Sequence, residues 1–284
     1  MWFDWQPVLS SDDNISNLFY FRNTSKQWFE IIKDNTFIFQ INYENIDKIN
    51  YLKNKYINIQ LYYKYIFEDF TDIYELRKLH TLDISYCDFL TDISYLCNLH
   101  TLDISYCPNI TNVSPLKDLH TLYLRGCEKI SDVSMLGHLH TLNISLCPKI
   151  TDISMLGTLH TLIMYHCHQI TDISMLAQLH TLYIIGCSGI INISMLGNLH
   201  TLHIPYCENI TNVSALENLH TLNISYCDNI TNVSALKNLH TLDISGCNNI
   251  TDISMLGNLD TLNISNCQNI ITFPDPNNII NYII

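Results

Sequence analysis

The chain has 284 residues, with 14 basic and 27 acidic side chains and a formal charge of -13. That balance lacks the basic footprint of a nucleic-acid-binding surface, and an apolar share of 47% is too high for a disordered chain. No apolar run approaches the ~18 residues that a membrane span requires, so no membrane association is expected.

The first residues, Met1 to Pro7, carry no basic segment and include Asp4, which does not read as a signal peptide. Asp12 to Lys33 is expected to be helical, with Ser11 or Asp12 as its cap. Ile15, Leu18, Phe19 and Arg22 would form one side of it, and Trp28, Phe29, Ile31 and Ile32 another. Phe37 to Leu61 mixes Ile, Tyr and Asn and is expected to help cover the open end of the array that follows. Residues 1–56 thus read as a capping segment and 57–78 as a degenerate first repeat, where Phe70-Thr71-Asp72-Ile73 matches a later Ile-Thr-Asp-Ile.

From Leu79 the chain repeats one 20-residue pattern, Leu-His-Thr-Leu-x-Ile-Ser-x-Cys-x-x-Ile-Thr-Asp-Ile-Ser-x-Leu-x-x. Nine full copies begin at Leu79 and every 20 residues to Leu239; a tenth, at Leu259, fades after Ile270. In Thr81-Leu82-Asp83-Ile84-Ser85 apolar and polar residues alternate with period two, the pattern of a half-buried strand. Leu82 and Ile84 should point inward, with Leu79, Leu90, Ile93, Leu96 and Leu99 supplying the rest of the core. Each copy should add a parallel strand ~4.8 Å from the last. The short return between strands leaves room for turns and 3₁₀ pieces only. After residue 270, Phe273-Pro274-Asp275-Pro276 breaks the pattern, and residues 271–284 are expected to fold back as the second cap.

Ten cysteines, Cys87 to Cys267, recur every 20 residues, and only Cys97 stands apart. One slot used ten times is neither a disulfide framework nor a zinc site, which needs four converging ligands. Buried thiols bonded to carbonyls are expected, in a reducing, cytoplasmic setting. The column from Asp92 to Asp252 mixes Asp and Asn, which fits Asx bonds to turn amides. The histidines His80 to His240 form another column, read as structural because nothing singles one out as a catalyst. Stacked imidazoles should resist protonation, giving folded pKa values below ~6.5. Met135, Met155, Met175, Met195 and Met255 are read as packing on the turn side.

Outward strand positions turn large or aromatic in the middle copies. Tyr123, Arg125, Ile163, Tyr165, His166, Tyr183, Ile185, His203 and Tyr206 gather on a face that should otherwise be polar. Tyr and Arg are common interface anchors, and such a patch marks a partner-binding surface for protein. No Walker loop, dinucleotide fingerprint, His-Glu-x-x-His or Gly-x-Ser-x-Gly is present. No catalytic residue, metal site or cofactor is therefore expected, and the chain reads as a non-enzymatic scaffold.

The period and its Leu-x-x-Leu-x-Leu spacing resemble leucine-rich repeats. That resemblance implies an α/β solenoid: an arc with a parallel concave sheet, a convex side of turns and short 3₁₀ segments, and a helical N-terminal cap. Cysteine ahead of Ile-Thr-Asp is similar to the repeats of F-box proteins. Ser25-Lys26-Gln27-Trp28-Phe29-Glu30-Ile31-Ile32 resembles the last helix of an F-box, whose Leu-Pro opening is shortened here to the region of Pro7-Val8-Leu9. With its Asn, Ile and Tyr richness, the chain looks like the F-box and leucine-rich-repeat families of giant DNA viruses, which would place it in the host cytoplasm. The resemblance implies binding of a Skp1-like adaptor through Leu18, Lys26 and Trp28, and substrate presentation to a cullin ubiquitin ligase. The other readings are general recognition of a protein on the concave face, or an effector-like inhibitor of a host protein.

Overall fold

The computed structural model describes residues 80–275 except 89, with the strand residues 8–9, 37–41, 59–63 and 281–283. Fourteen strands form one parallel sheet in strict chain order. They are β1 (Val8–Leu9), β2 (Phe37–Ile41), β3 (Ile59–Tyr63), β4 (Thr81–Asp83), β5 (Thr101–Asp103), β6 (Thr121–Tyr123) and β7 (Thr141–Asn143). Then follow β8 (Thr161–Tyr165), β9 (Thr181–Ile185), β10 (Thr201–His203), β11 (Thr221–Asn223), β12 (Thr241–Asp243), β13 (Thr261–Asn263) and β14 (Asn281–Ile283).

From β4 to β13 every strand pairs with its neighbour at an offset of 20, as in Thr81↔Thr101 and Thr241↔Thr261. Each residue therefore lies on its own counterpart, and each rung from Leu99 to Leu239 buries the same seven slots, whereas Cys267 and Ile270 of the last rung are only partly buried. In the rung from Leu99 the seven are Leu99, Leu102, Ile104, Cys107, Ile110, Val113 and Leu116. Burying one Leu or Ile side chain is worth ~1.5–3 kcal/mol, but a single rung has no second layer to bury against. Contact with neighbouring rungs supplies it, so the core is one continuous cluster from Leu82 to Ile264.

The return from strand to strand is made of turns, with 3₁₀ helices at Ser94–Leu96, Ser114–Leu116 and Ser134–Leu136. Side chains close it. Asp92, Asn112, Asp132, Asp152, Asp172, Asn192, Asn212, Asn232 and Asp252 each accept the amide of the serine two residues on, at 2.8–3.0 Å. Exposed asparagines also join rungs: Asn198, Asn218, Asn238 and Asn258 donate to carbonyls 21 residues earlier, at 2.8–2.9 Å.

No α-helix occurs among the described residues, and the solenoid there is built of strands, turns and the expected short 3₁₀ pieces. Only 20 residues per rung must carry both the strand and its return, which leaves no length for a long helix. At the carboxyl end the chain does not fold back: Thr261↔Asn281 keeps the 20-residue offset, and β14 continues the sheet. Ahead of the repeats, β1, β2 and β3 pair in parallel and carry the sheet to β4. The helix expected over 12–33 lies outside the described residues.

The cysteine column sits inside the turn after each strand. From Cys107 to Cys267 each thiol donates to a carbonyl 23 residues earlier, at 2.9–3.7 Å. Cys147 donates to the Leu124 carbonyl, which also accepts the Cys127 amide. Cys147→Ala therefore removes one S–H bond and a sulfur's packing while leaving that carbonyl partnered. We expect a loss of about 1–2 kcal/mol, read by urea denaturation.

Candidate functional site

The outward face of the sheet has a uniform grammar, and the interest lies where it breaks. Asp83, Asp103, Asn143, Asn223, Asp243 and Asn263 each end a three-residue strand. Each side-chain Oδ1 accepts the amide of the serine two residues on, at 2.8–3.1 Å. That amide is thereby used within its own rung and the strand ends after three residues, although rung-to-rung bonds such as Ile84 N–H to the Asp103 carbonyl and Tyr86 N–H to the Ser105 carbonyl continue beyond it.

Residues 163 and 183 are Ile and Tyr, which have no such acceptor. Pairing there runs on through Met164↔Ile184 and Tyr165↔Ile185, and β8 and β9 lengthen to five residues each. The Tyr165 amide turns to the Ser145 hydroxyl of the previous rung, at 3.1 Å. Loss of the terminator and gain of apolar side chains thus occur together. The result is a tile in which Ile163 lies beside Tyr183 and Tyr165 beside Ile185, all four half-buried. At position 203 the terminator is again absent, but Pro205 has no amide to offer and the strand stays short. The His203 ring stacks on Tyr183 at 4.7 Å, and burial holds its pKa below the ordinary histidine value.

On the other side of the tile, Tyr123 is half-buried on β6 and Arg125 is exposed just beyond it. The Arg125 guanidinium lies over the Tyr106 ring, 5.7 Å from its centroid, a cation–π contact. His166 and Tyr206 stand exposed in the turns after β8 and β10.

Both turn residues belong to a column with left-handed backbone. Tyr86, Tyr106, Leu146, His166, Tyr206, Tyr226 and Asn266 have φ between 56° and 64°, and Gly126, Gly186 and Gly246 fill the same slot. For a bulky residue this conformation costs ~1–2 kcal/mol. Stacking offsets part of it: Tyr86 lies on Tyr106 at 4.8 Å and Tyr206 on Tyr226 at 4.8 Å. The glycines serve as sockets for the ring of the preceding rung. A Cβ at Gly126 would stand 2.5 Å from Tyr106 Cδ1, and one at Gly246 2.6 Å from Tyr226. Tyr86 and Tyr226 thereby add exposed aromatic surface along one margin of the sheet face. Both escape detection in sequence because they occupy a variable position whose turn conformation no local motif reveals. Gly126→Ala should destabilise by about 1–2 kcal/mol, and Tyr106→Ala in the same chain should recover the part due to the clash. A double-mutant cycle in urea reads that coupling.

The nine histidines form an unbroken stack, with centroids 4.0–5.1 Å apart and rings within 16° of parallel. In His80 to His200, Nδ1 meets the hydroxyl of the following threonine at 3.1–3.4 Å. In His220 and His240 it donates to the carbonyls of Asn218 and Asn238. Burial within the stack, and then the charge of neighbouring imidazoles, hold His100, His120, His160 and His200 below the ordinary histidine pKa. Desolvation thus leads, where charge repulsion alone was expected. Because the folded chain binds fewer protons than the unfolded one, this contribution is complete above the unfolded value of ~6.5. It is lost as pH falls through the depressed folded values. The thermal midpoint should drop between pH 7.5 and 5, and by less in a chain carrying His120→Gln, His160→Gln and His200→Gln. An unchanged midpoint in the parent chain would contradict this.

Burial pushes the thiols of Cys127, Cys147 and Cys227 up to about 12, and those of Cys207 and Cys247 to about 11. As neutral thiols inside the turns they are poor nucleophiles. All the described cysteines are free. Among the described residues, no three or more His, Cys, Asp or Glu converge to hold one metal ion, and no helix is long and apolar enough to cross a membrane. The recurring methionines differ from expectation: Met135, Met155, Met175, Met195 and Met255 are more than half exposed rather than packed. The slot lies on the outside of the turn, where no second layer covers it. Leu18, Lys26 and Trp28 lie outside the described residues.

The geometry defines a parallel-sheet solenoid with a 20-residue rung, and the comparisons place it among known proteins. Residues 97–138 and 217–258 match the two-copy leucine-rich-repeat family, and residues 78–99 match the single leucine-rich repeat. Residues 78–138 and 217–258 are thus leucine-rich repeats, and these repeats contain cysteine. An internalin from Listeria monocytogenes is similar at 22% identity with a TM-score of 0.58, over 97% of this chain and 95% of that one. The functional domain of InlJ from Listeria monocytogenes, described as including a cysteine ladder, matches at 20% identity and a TM-score of 0.42, over 74% of this chain and 57% of that one. No protein of curated function matches the sequence.

Proposed function

We propose that the chain is a non-enzymatic scaffold that binds a protein partner on the concave, outward face of its sheet, centred on β8 and β9. Leucine-rich-repeat folds are typical of protein–protein interaction scaffolds, and extended sheet faces are their usual contact surfaces. The observation that carries the reading is the tile of Ile163, Tyr165, Tyr183 and Ile185. It stands where the Asx terminators of other rungs are replaced by apolar side chains that the core does not need. Leu162, Met164, Leu182 and Ile184 of the same strands already fill the interior. Arg125, Tyr123, His166, His203 and Tyr206 surround the tile and supply the polar and aromatic rim common at interfaces. The free, buried thiols suit a reducing compartment such as the cytoplasm.

The test is affinity capture followed by binding of the purified partner. The parent chain is compared with Tyr165→Ser plus Ile185→Ser and with the turn-side control Lys149→Ser, each first shown to be folded by circular dichroism. The tile variant should lose the partner, by a hundredfold or more in Kd if these are anchors worth about 2–4 kcal/mol. The control should retain it. Equal binding by all three chains would refute the assignment of the face.

A further inference from the structure

On the turn side, one slot holds methionine in four consecutive rungs, Met135, Met155, Met175 and Met195, exposed by 54, 63, 61 and 58%. Packing does not require it, because the same slot holds Tyr95, Pro115, Ala215 and Ala235 in other rungs. Two residues further along, the same four rungs carry Gly137, Gly157, Ala177 and Gly197, whereas other rungs carry Lys117, Glu217 and Lys237. The small residues bring the rungs into contact at this point. A Cβ on Gly137 would lie 3.0 Å from the Met155 carbonyl oxygen, and one on Gly157 3.3 Å from that of Met175. The four methionines therefore occupy the same slot on successive rungs, whose backbones approach closely at Gly137 and Gly157. No charged side chain occupies the adjoining small-residue column over those rungs.

A thioether is a soft, neutral donor on an unbranched, adaptable stem. Two sulfurs that flank one ion stand ~4.6 Å apart if each metal–sulfur bond is ~2.3 Å. A site between adjacent rungs requires their sulfurs to reach that separation, and the rotatable bonds of each stem supply the adjustment. Soft sulfur donors select copper(I) over zinc, magnesium or calcium, and a chain of charge -13 attracts cations. We propose that the Met135–Met195 column is a binding site for soft monovalent cations of the copper(I) class, each ion held between thioethers of adjacent rungs. It is separate from the sheet face and independent of any protein partner. Met255 provides the internal contrast: it is equally exposed, but its column neighbours are Ala235 and Asp275, so it has no second sulfur.

The experiment uses the full chain with ¹³C-labelled methionine methyl groups and with Cys97→Ser and Cys267→Ser, which remove the two half-exposed thiols. Silver(I), a redox-inert stand-in for copper(I), is titrated and the methyl signals are followed by NMR. The signals of Met135, Met155, Met175 and Met195 should move together within the first two equivalents, while Met255 and the buried Met164 stay in place. Met155→Leu plus Met175→Leu should weaken binding at least tenfold, and Met255→Leu should leave it unchanged. Parallel movement of Met255 would show ordinary thioether affinity with no built site. Early movement of Met164 would show attack on the core thiols, and no movement would show no binding. Each of these three results overturns the proposal.

Discussion

Parallel strands paired at a fixed offset of 20 place every residue on its own counterpart in the next rung, and the rest of the molecule depends on that register. Stacking of like on like is favourable for some side chains and costly for others, so each slot accepts only residues that tolerate a copy of themselves one strand spacing away. Leucine and isoleucine satisfy it by interdigitating in the core. Cysteine satisfies it by donating across the rung to a carbonyl, and exposed asparagine by bridging to the turn before. A column of lysines would not, and none occurs. Histidine is accepted because a neutral imidazole stacks on its copy, and burial in that stack makes protonation of His100, His120, His160 and His200 unfavourable.

Competition for backbone amides helps set how far the strands run, although β6 stops after three residues with Tyr123 in the Asx position. An Asx side chain at the strand's third residue captures an amide that would otherwise extend the pairing, so most rungs end after three residues. Where Ile163 and Tyr183 stand instead, the ladder gains two residues and a second outward pair, Tyr165 and Ile185. A change of residue type on a solvated face thus alters backbone geometry as well as surface chemistry. The half-buried tile and the longer strands are one event, and substitution at either position should be judged for both effects.

The left-handed turn column follows the same logic in a different currency. Tyrosine at positive φ is unfavourable taken singly, yet a ring laid over the next rung's ring or over a glycine recovers contact that an isolated turn would not have. Gly126, Gly186 and Gly246 are spaced by 60 residues, and each accepts the ring of the rung before it. Their absence of a side chain is thus a packing requirement set by a neighbour 20 residues away, in addition to the local backbone.

Much of the molecule was legible in the chain before folding, because its period is a local and countable property. The inward positions, the strand at each Thr-Leu-x-Ile, the burial of the cysteine slot and the Asx bonds of the turns all follow from alternation and spacing within a single repeat. The outward residues of the middle rungs stood out for the same reason, as departures from a repeated pattern. What only the tertiary structure decided are relations between rungs and the conformation of the variable turn. Tyr86 and Tyr226 join the margin of the sheet face because of a backbone conformation that no single repeat displays. The methionines are exposed because nothing packs outside the turn. The segments at 37–41, 59–63 and 281–283 carry no clear copy of the motif, yet they become strands because a sheet edge leaves unpaired amides and carbonyls that any compatible neighbouring backbone will satisfy.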